Sequence, residues 1–221
     1  MHDPIAEIPY VAEADDTQYR VIHLPNQVWK CSPIAALENL FDNAHHHYVH
    51  TLLGDRGSPE PLKPEVIQET DDGIYFKSDM RNHTTSLQRN VWGIEDDEII
   101  LDREFIWHMP FFARITLRLP NGLRNVTLIL FSPISKSETL WTNIVFRNDS
   151  ANPSATAEDI IKLGLAIGAE DQAILETLHL NVPLEPKMQQ HMATDKPGII
   201  MRRKFSDLLR LHEEVENSPN A

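Results

Sequence analysis

Apolar and polar residues change their rhythm several times along the chain, and each change predicts a different element. Residues 1 to 18 are acidic, contain proline and show little periodicity, so they read as an arm. Apolar residues then alternate in "YRVIHL" and "QVWKCS", two strands joined by a turn at Leu24-Pro25-Asn26. From Pro33 to about Tyr48 the period lengthens to that of a helix. Ser32 can cap it, Pro33 suits its first turn, and Ile34, Leu37 and Phe41 recur at intervals of three and four. A loop dense in glycine and proline, "TLLGDRGSPEPLKPEV", follows.

The middle of the chain is rich in strands. "VIQETDDGIYFKSDM" holds a hairpin turn at Asp71-Asp72-Gly73 between two alternating runs, and Asn121-Gly122 marks another. "RNVTLILFSPI" and "ETLWTNIVFR" are spaced to pair across "SKS". "FIWHMPFF", residues 105–112, is expected to be core or cavity wall, with His108 a core histidine rather than a ligand. Helical spacing returns in "SATAEDIIKLGLAIGAEDQAILETLHL", with Ser154 or Thr156 as the cap. A last helix, "FSDLLRLHEEVE", comes after "DKPGIIMRRK". Helix, antiparallel strands, then helices is an α+β order: a curved antiparallel sheet packed on helices, as one domain over residues 20–212. An acidic arm or linker at 1–19 precedes it and a flexible tail at 213–221 follows.

Composition narrows the chemistry. A hydrophobic content of 41% with 24% charged residues fits a globular protein. The net charge of -13 argues against a nucleic-acid partner, and "MRRKF" is the one local basic cluster. No apolar run approaches the roughly 20 residues that a membrane helix needs. The first residues show no signal peptide, so a cytoplasmic protein with no membrane partner is expected. The single cysteine, Cys31, excludes an internal disulfide and a cysteine-rich zinc or iron–sulfur site within the chain. Any metal must be held by histidine and carboxylate.

One segment offers both. "ENLFDNAHHHYVHTLLG", residues 38–54, gathers Asn39, Asp42, His45, His46, His47 and His50, four of the chain's 11 histidines. It reads either as a solvated, His-rich helix end or as a metal site. Spacing alone leaves the ligands open. Asp42 and His45 are neighbours on a helix face, and Asn39 lies one turn earlier. His45 and His50 are five apart and diverge by about 140° on a straight helix. His46 and His50 share a face, so regular geometry favours Asp42–His46–His50; the pair His45 and His50 needs a bulged or broken helix. Two histidines and a carboxylate are the donor set of non-haem iron(II) oxygenases. Zinc accepts them too, although no HExxH motif accompanies them here.

The segment resembles the iron-binding motif of Rieske-type non-haem iron oxygenases, in which Asn, Asp, His and His follow at intervals of three, three and five. These fall on Asn39, Asp42, His45 and His50. "AEDQAILET" is similar to the family's acidic helix and brings in Asp171. "VWKCSPIAALENL" and the tail "MATDKPGIIMRRKFSDLLRLHEE" are similar to the monooxygenase and O-demethylase branch, and the resemblance spans roughly residues 20 to 212. It implies a helix-grip, START-like fold and a mononuclear Fe(II) held by His45, His50 and Asp171, with the helix broken between the histidines and His46 and His47 pointing elsewhere. It also implies that Asp42 hydrogen-bonds a ligand imidazole, that Asn39 lies beside the site, and that both belong to the catalytic machinery. In the family the Asp bridges to a cluster-bearing histidine of the neighbouring subunit in a head-to-tail trimer.

The implied activity is dioxygen activation, to hydroxylate or demethylate an aromatic or other apolar small molecule. One departure is large. The family's catalytic chain normally carries an N-terminal Rieske domain, whose [2Fe–2S] cluster takes two Cys and two His. With one cysteine, this chain has no [2Fe–2S] cluster of its own. Either it is part of a longer protein, or it draws electrons from an external donor with a Rieske or ferredoxin cluster; Met1 and the acidic arm suit a natural start. Substrate contacts are expected from "LWTNIVF": Trp141 and Asn143 on one face, Phe146 on the other, with Asn143 able to orient an aromatic acid or ether. The competing expectations are an apolar-ligand carrier of the same fold without redox activity, and a hydrolytic zinc protein.

Overall fold

The computed structural model describes residues 7–57, 63–151, 153–178, 184 and 190–216. Nine strands form one open sheet: β1 (Arg20–His23), β2 (Gln27–Trp29), β3 (Glu65–Thr70), β4 (Gly73–Lys77), β5 (Met80–His83), β6 (Glu98–His108), β7 (Phe112–Arg118), β8 (Arg124–Pro133) and β9 (Thr139–Arg147). All pairings are antiparallel in the order β1-β9-β8-β7-β6-β4-β3. β2 shares β9's edge with β1, and β5 shares β6's edge with β4. The helices are α1 (Pro33–Phe41), α2 (His46–Val49), α3 (Ser86–Trp92), α4 (Ala157–Leu175) and α5 (Lys196–Glu216). The α+β class and the antiparallel sheet packed on helices are as expected.

The hairpins follow the turn chemistry. β8 and β9 pair across "SKS", with Phe131 opposite Trp141 and Pro133 opposite Thr139. Asp71 and Asp72 turn β3 into β4, and Gly73 opens β4 opposite Thr70, where a Cβ would lie 1.8 Å from the Trp107 carbonyl oxygen. "FIWHMPFF" is a hairpin corner rather than a uniform wall. β6 becomes β7 there, the Met109-Pro110 peptide is cis, and the Trp107 indole donates to the Pro110 carbonyl at 3.1 Å. Trp107 is buried, but His108 is not a core histidine: it sits at the half-open corner with Nδ1 3.6 Å from Asp72.

Strand alternation separates two apolar layers. Leu101, Phe105, Ile129 and Trp141 face the main core with Leu37 and Phe41 of α1 and Leu163 of α4. Val126, Leu128 and Phe146 face the other way, where Val11 and Tyr19 pack on them. The stretch before β1 therefore covers the sheet's back, and its buried Glu13 accepts from Arg114 at 2.7 Å.

Helix ends decide where the site lies. Ser32 caps α1 as expected, accepting from the Ala35 amide. The helix stops at Phe41 rather than near Tyr48. Asp42 turns extended (φ -79°, ψ 109°), and its Oδ1 accepts from the Ala44 amide at 2.8 Å, a local turn that competes with another helical turn. Thr156 caps α4, whereas Ser154 bonds Asp149 and Arg147 instead. Helix α3, with a Thr85–Gln88 capping box, lies in a stretch where no helix was expected, and α5 starts at Lys196, before the expected Phe205. Gly168 of α4 faces the stacked Trp29 and Trp141 rings, where a Cβ would stand 3.4 Å from Trp141.

Candidate metal centre

The break after α1 brings together what a straight helix would separate. His45 precedes the single-turn α2 and His50 follows it, where the backbone leaves helical geometry at ψ 139°. Asp171 projects from α4 toward both. His45 Nε2 and His50 Nε2 are 3.2 Å apart, and Asp171 Oδ1 lies 3.4 Å from the first and 3.3 Å from the second. Three donors each about 2.1 Å from one cation stand ~3.0 Å apart at right angles and ~3.4 Å apart at tetrahedral angles. The observed triangle falls within that window, so these residues fit a mononuclear divalent metal.

Their outer contacts agree with that fit. His50 Nδ1 lies 3.0 Å from Glu170 Oε2, and His45 Nδ1 lies 3.5 Å from Asp42 Oδ2. A proton on each Nδ1 leaves each Nε2 with its lone pair directed at the shared space. Asn39 Nδ2 donates to Asp171 Oδ1 at 2.9 Å. Glu170 is itself held by the Thr51 amide at 3.0 Å and by the Thr51 hydroxyl.

Charge in the absence of a cation follows from these contacts. Burial disfavours the charged form of His45, but Asp171 and Asp42 outweigh it and push the imidazole up to about 9. Burial works against the Asp171 carboxylate too, yet hydrogen bonds from His45, His50 and Asn39 hold it well below the usual carboxylate range. Asp42 is lowered in the same way against its own burial, chiefly by His45.

His46, the ligand that regular helix geometry favoured, also lies near His45 and His50. Both of its nitrogens are taken. Nδ1 faces the Asn43 carbonyl at 3.1 Å and Nε2 accepts from Arg103 Nη1 at 3.1 Å. Burial and the Arg103 cation hold its pKa well below the ordinary value, so it stays neutral and engaged. His47 turns away and accepts from the Asp55 amide at 2.8 Å.

The three donors sit in the wall of a cavity of about 190 Å³ between α1, α4 and the core face of the sheet. Its lining is mostly apolar, including Trp29, Leu101, Phe105, Phe131 and Trp141. Asn143 lines it as well, and its buried Oδ1 has no partner among the described residues. Phe146 does not belong here: strand alternation sends it to the back of the sheet, under Val11 and Tyr19. Arg103 and Glu170, two further polar groups at the site, were not singled out in the sequence. Arg103 gave no local signal, because its partners Ser78, Asn43 and His46 come from distant segments. Glu170 had one, as the acidic neighbour of Asp171.

The family model for the vanillate O-demethylase oxygenase C-terminal domain matches residues 29–211. No sequence among the curated proteins matches. NdmA of Pseudomonas putida CBB5, solved with caffeine, superposes with a TM-score of 0.76 at 19% identity, covering 94% of this chain and 57% of that one. Dicamba monooxygenase bound to dicamba gives 0.74 at 17% identity, covering 96% and 65%. P. putida CBB5 NdmB gives 0.67 at 20% identity, covering 89% and 52%. The chain thus spans between about half and two thirds of the length of these solved proteins.

Proposed function

Because the chain belongs to the family of the vanillate O-demethylase oxygenase C-terminal domain, the catalytic part of Rieske-type oxygenases, we propose that it hydroxylates or demethylates an aromatic or other apolar small molecule with dioxygen. The reading rests on one observation above all: two imidazole nitrogens and a carboxylate oxygen converge to within 3.2–3.4 Å of one another in the wall of an apolar cavity. His45, His50 and Asp171 hold Fe(II), which supplies the oxygen chemistry when bound.

The chain's own residues prepare that chemistry. Asp42 and Asn39 orient His45 and Asp171. The apolar lining excludes water and seats the substrate's ring, with Trp141 contributing one wall. Asn143 meets a polar group of the substrate, because its amide lies in the cavity with an acceptor unused among the described residues. Phe146 has no part in this. Electrons come from beyond these 221 residues, since their one cysteine cannot complete a Rieske centre. Asp42 is their entry point, its side chain 40% exposed while in reach of the nearly enclosed His45. The donor is a protein with a Rieske or ferredoxin cluster, met in a trimer-based assembly.

A carrier of apolar ligands has the same use for the cavity but none for the triangle. Confining a carboxylate between two imidazoles without a cation works against folding unless protons fill the space. The test is the metal content of protein prepared anaerobically, as wild type, His45→Ala, His46→Ala and Asp171→Ala. Near-stoichiometric iron, lost with His45 and Asp171 but kept in His46→Ala, is the expected result. Iron absent from every sample after reconstitution with Fe(II) leaves the carrier in its place.

A further inference from the structure

Glu170 and Asp171 are consecutive on α4, so their side chains leave the helix about 100° apart. They nevertheless reach the same imidazole, from opposite edges. Asp171 Oδ1 lies 3.3 Å from His50 Nε2, and Glu170 Oε2 lies 3.0 Å from His50 Nδ1. The other oxygen of Glu170 accepts from the Thr51 amide at 3.0 Å and from the Thr51 hydroxyl. A closed ring of contacts results, running from the His50 ring to Glu170, on to the Thr51 backbone, and back along the chain to His50. His50 is 1% exposed, so no solvent competes for these bonds.

From this geometry we infer that Glu170 is a positioning residue for the metal centre: it fixes the tautomer and ring orientation of His50 so that the Nε2 lone pair faces the site. The inference rests on the ligand set proposed above. Two physical consequences distinguish the role from mere tethering of α4. A carboxylate on Nδ1–H makes the opposite nitrogen a better donor, which an uncharged tether does not. His45 has only the longer Asp42 contact of 3.5 Å, so the two imidazoles differ in support, and removing Glu170 acts on one ligand alone.

The test uses Co(II) as a spectroscopic probe on the whole chain, comparing wild type with Glu170→Gln, Glu170→Ala, Thr51→Ala and His50→Ala. Gln keeps the side chain's shape and its acceptor for His50 while removing the charge. The expected result is a weaker Co(II) complex, by about tenfold in Glu170→Gln and up to about a hundredfold in Glu170→Ala, with a shifted visible band in both. Metal-free melting temperature stays near wild type for Gln, and Thr51→Ala keeps the wild-type band. Wild-type affinity and band in both Glu170 variants overturn the inference while leaving the ligand set intact. If wild type binds no Co(II), or His50→Ala binds it as wild type does, the ligand set fails and the role of Glu170 falls with it. Should Glu170→Ala unfold, the Gln variant alone decides.

Discussion

At the scale of single residues, the site is a problem in proton and charge balance. Three acceptor atoms meet at His45, His50 and Asp171, and without a cation a proton on His45 keeps them together. His45 has an ordinary value near 6.5 and is raised to about 9 in the folded chain. The folded state therefore binds more protons than the unfolded one between those values, and stability falls as pH rises through that window. Metal-free protein is expected to lose melting temperature steadily from pH 6.5 to 9, while His45→Gln, which carries no titrating proton, lacks this slope. Thermal melts across a pH series check it. Metal binding at pH 7 must in turn displace the His45 proton, so calorimetry in buffers of different ionisation enthalpy should register close to one proton released. Asn143 poses the opposite balance. Its buried oxygen, without a partner among the described residues, costs stability, and Asn143→Leu is expected to gain about 1 kcal/mol in denaturant unfolding. The same change removes the polar contact offered to substrate, so affinity for a polar aromatic ligand should drop as stability rises.

At the scale of elements, helix boundaries rather than helix content place the three donor atoms. The Asp42 turn ends α1, and α2 rises for a single turn between His45 and His50. Asp42 thus acts twice, through Oδ1 on the Ala44 amide and through Oδ2 toward His45. Asp42→Ala is expected to weaken Co(II) binding, while Asp42→Asn, which still accepts from Ala44, should retain the fold more fully; titration beside circular dichroism separates the two effects. The far end of α4 gives a contrast. Thr156 caps the first turn of the helix whose other end carries Asp171, about four turns away. Thr156→Ala should lower stability by ~1 kcal/mol in thermal or urea melts and leave metal affinity unchanged. A loss of affinity in that variant would mean that α4 slides as a unit.

At the scale of the whole molecule, the centre ties the segment after α1 to α4 across more than a hundred residues of sequence. A metal bound only by the folded chain must stabilise it, by about 2.7 kcal/mol at a hundredfold excess over Kd. Saturating Fe(II) or Co(II) is accordingly expected to raise the wild-type melting temperature and to leave Asp171→Ala unmoved. Elsewhere the architecture uses buried ion pairs of its own. Arg147 and Arg20 both bond Asp149, whose carboxylate they hold below its ordinary range despite burial. Its depressed value contributes stability above the unfolded carboxylate range and loses it as pH falls, so acid unfolding should begin earlier in Arg20→Met than in wild type.

What the sequence determined by itself was local: hairpin turns at Asp71-Asp72-Gly73 and Asn121-Gly122, the cap at Ser32 and a second at Ser154 or Thr156, the α+β order, and a motif whose spacing resembled that of a known iron-binding segment. Such features depend on residues a few positions apart, where backbone geometry fixes the outcome. The choice between His45 and His46 could not be made by periodicity, because it depends on the Asp42 turn and on Arg103 of β6 occupying the His46 nitrogen. Phe146 was separable from Trp141 and Asn143 by alternation, yet which face met the cavity depended on where α1 and α4 packed. Glu170 stood out in the sequence only as the acidic neighbour of Asp171, and its contact with His50 was not legible there for the same cause. A contact between residues 120 apart is set by how α4 crosses the sheet, and that follows from the summed packing of the core rather than from any local pattern.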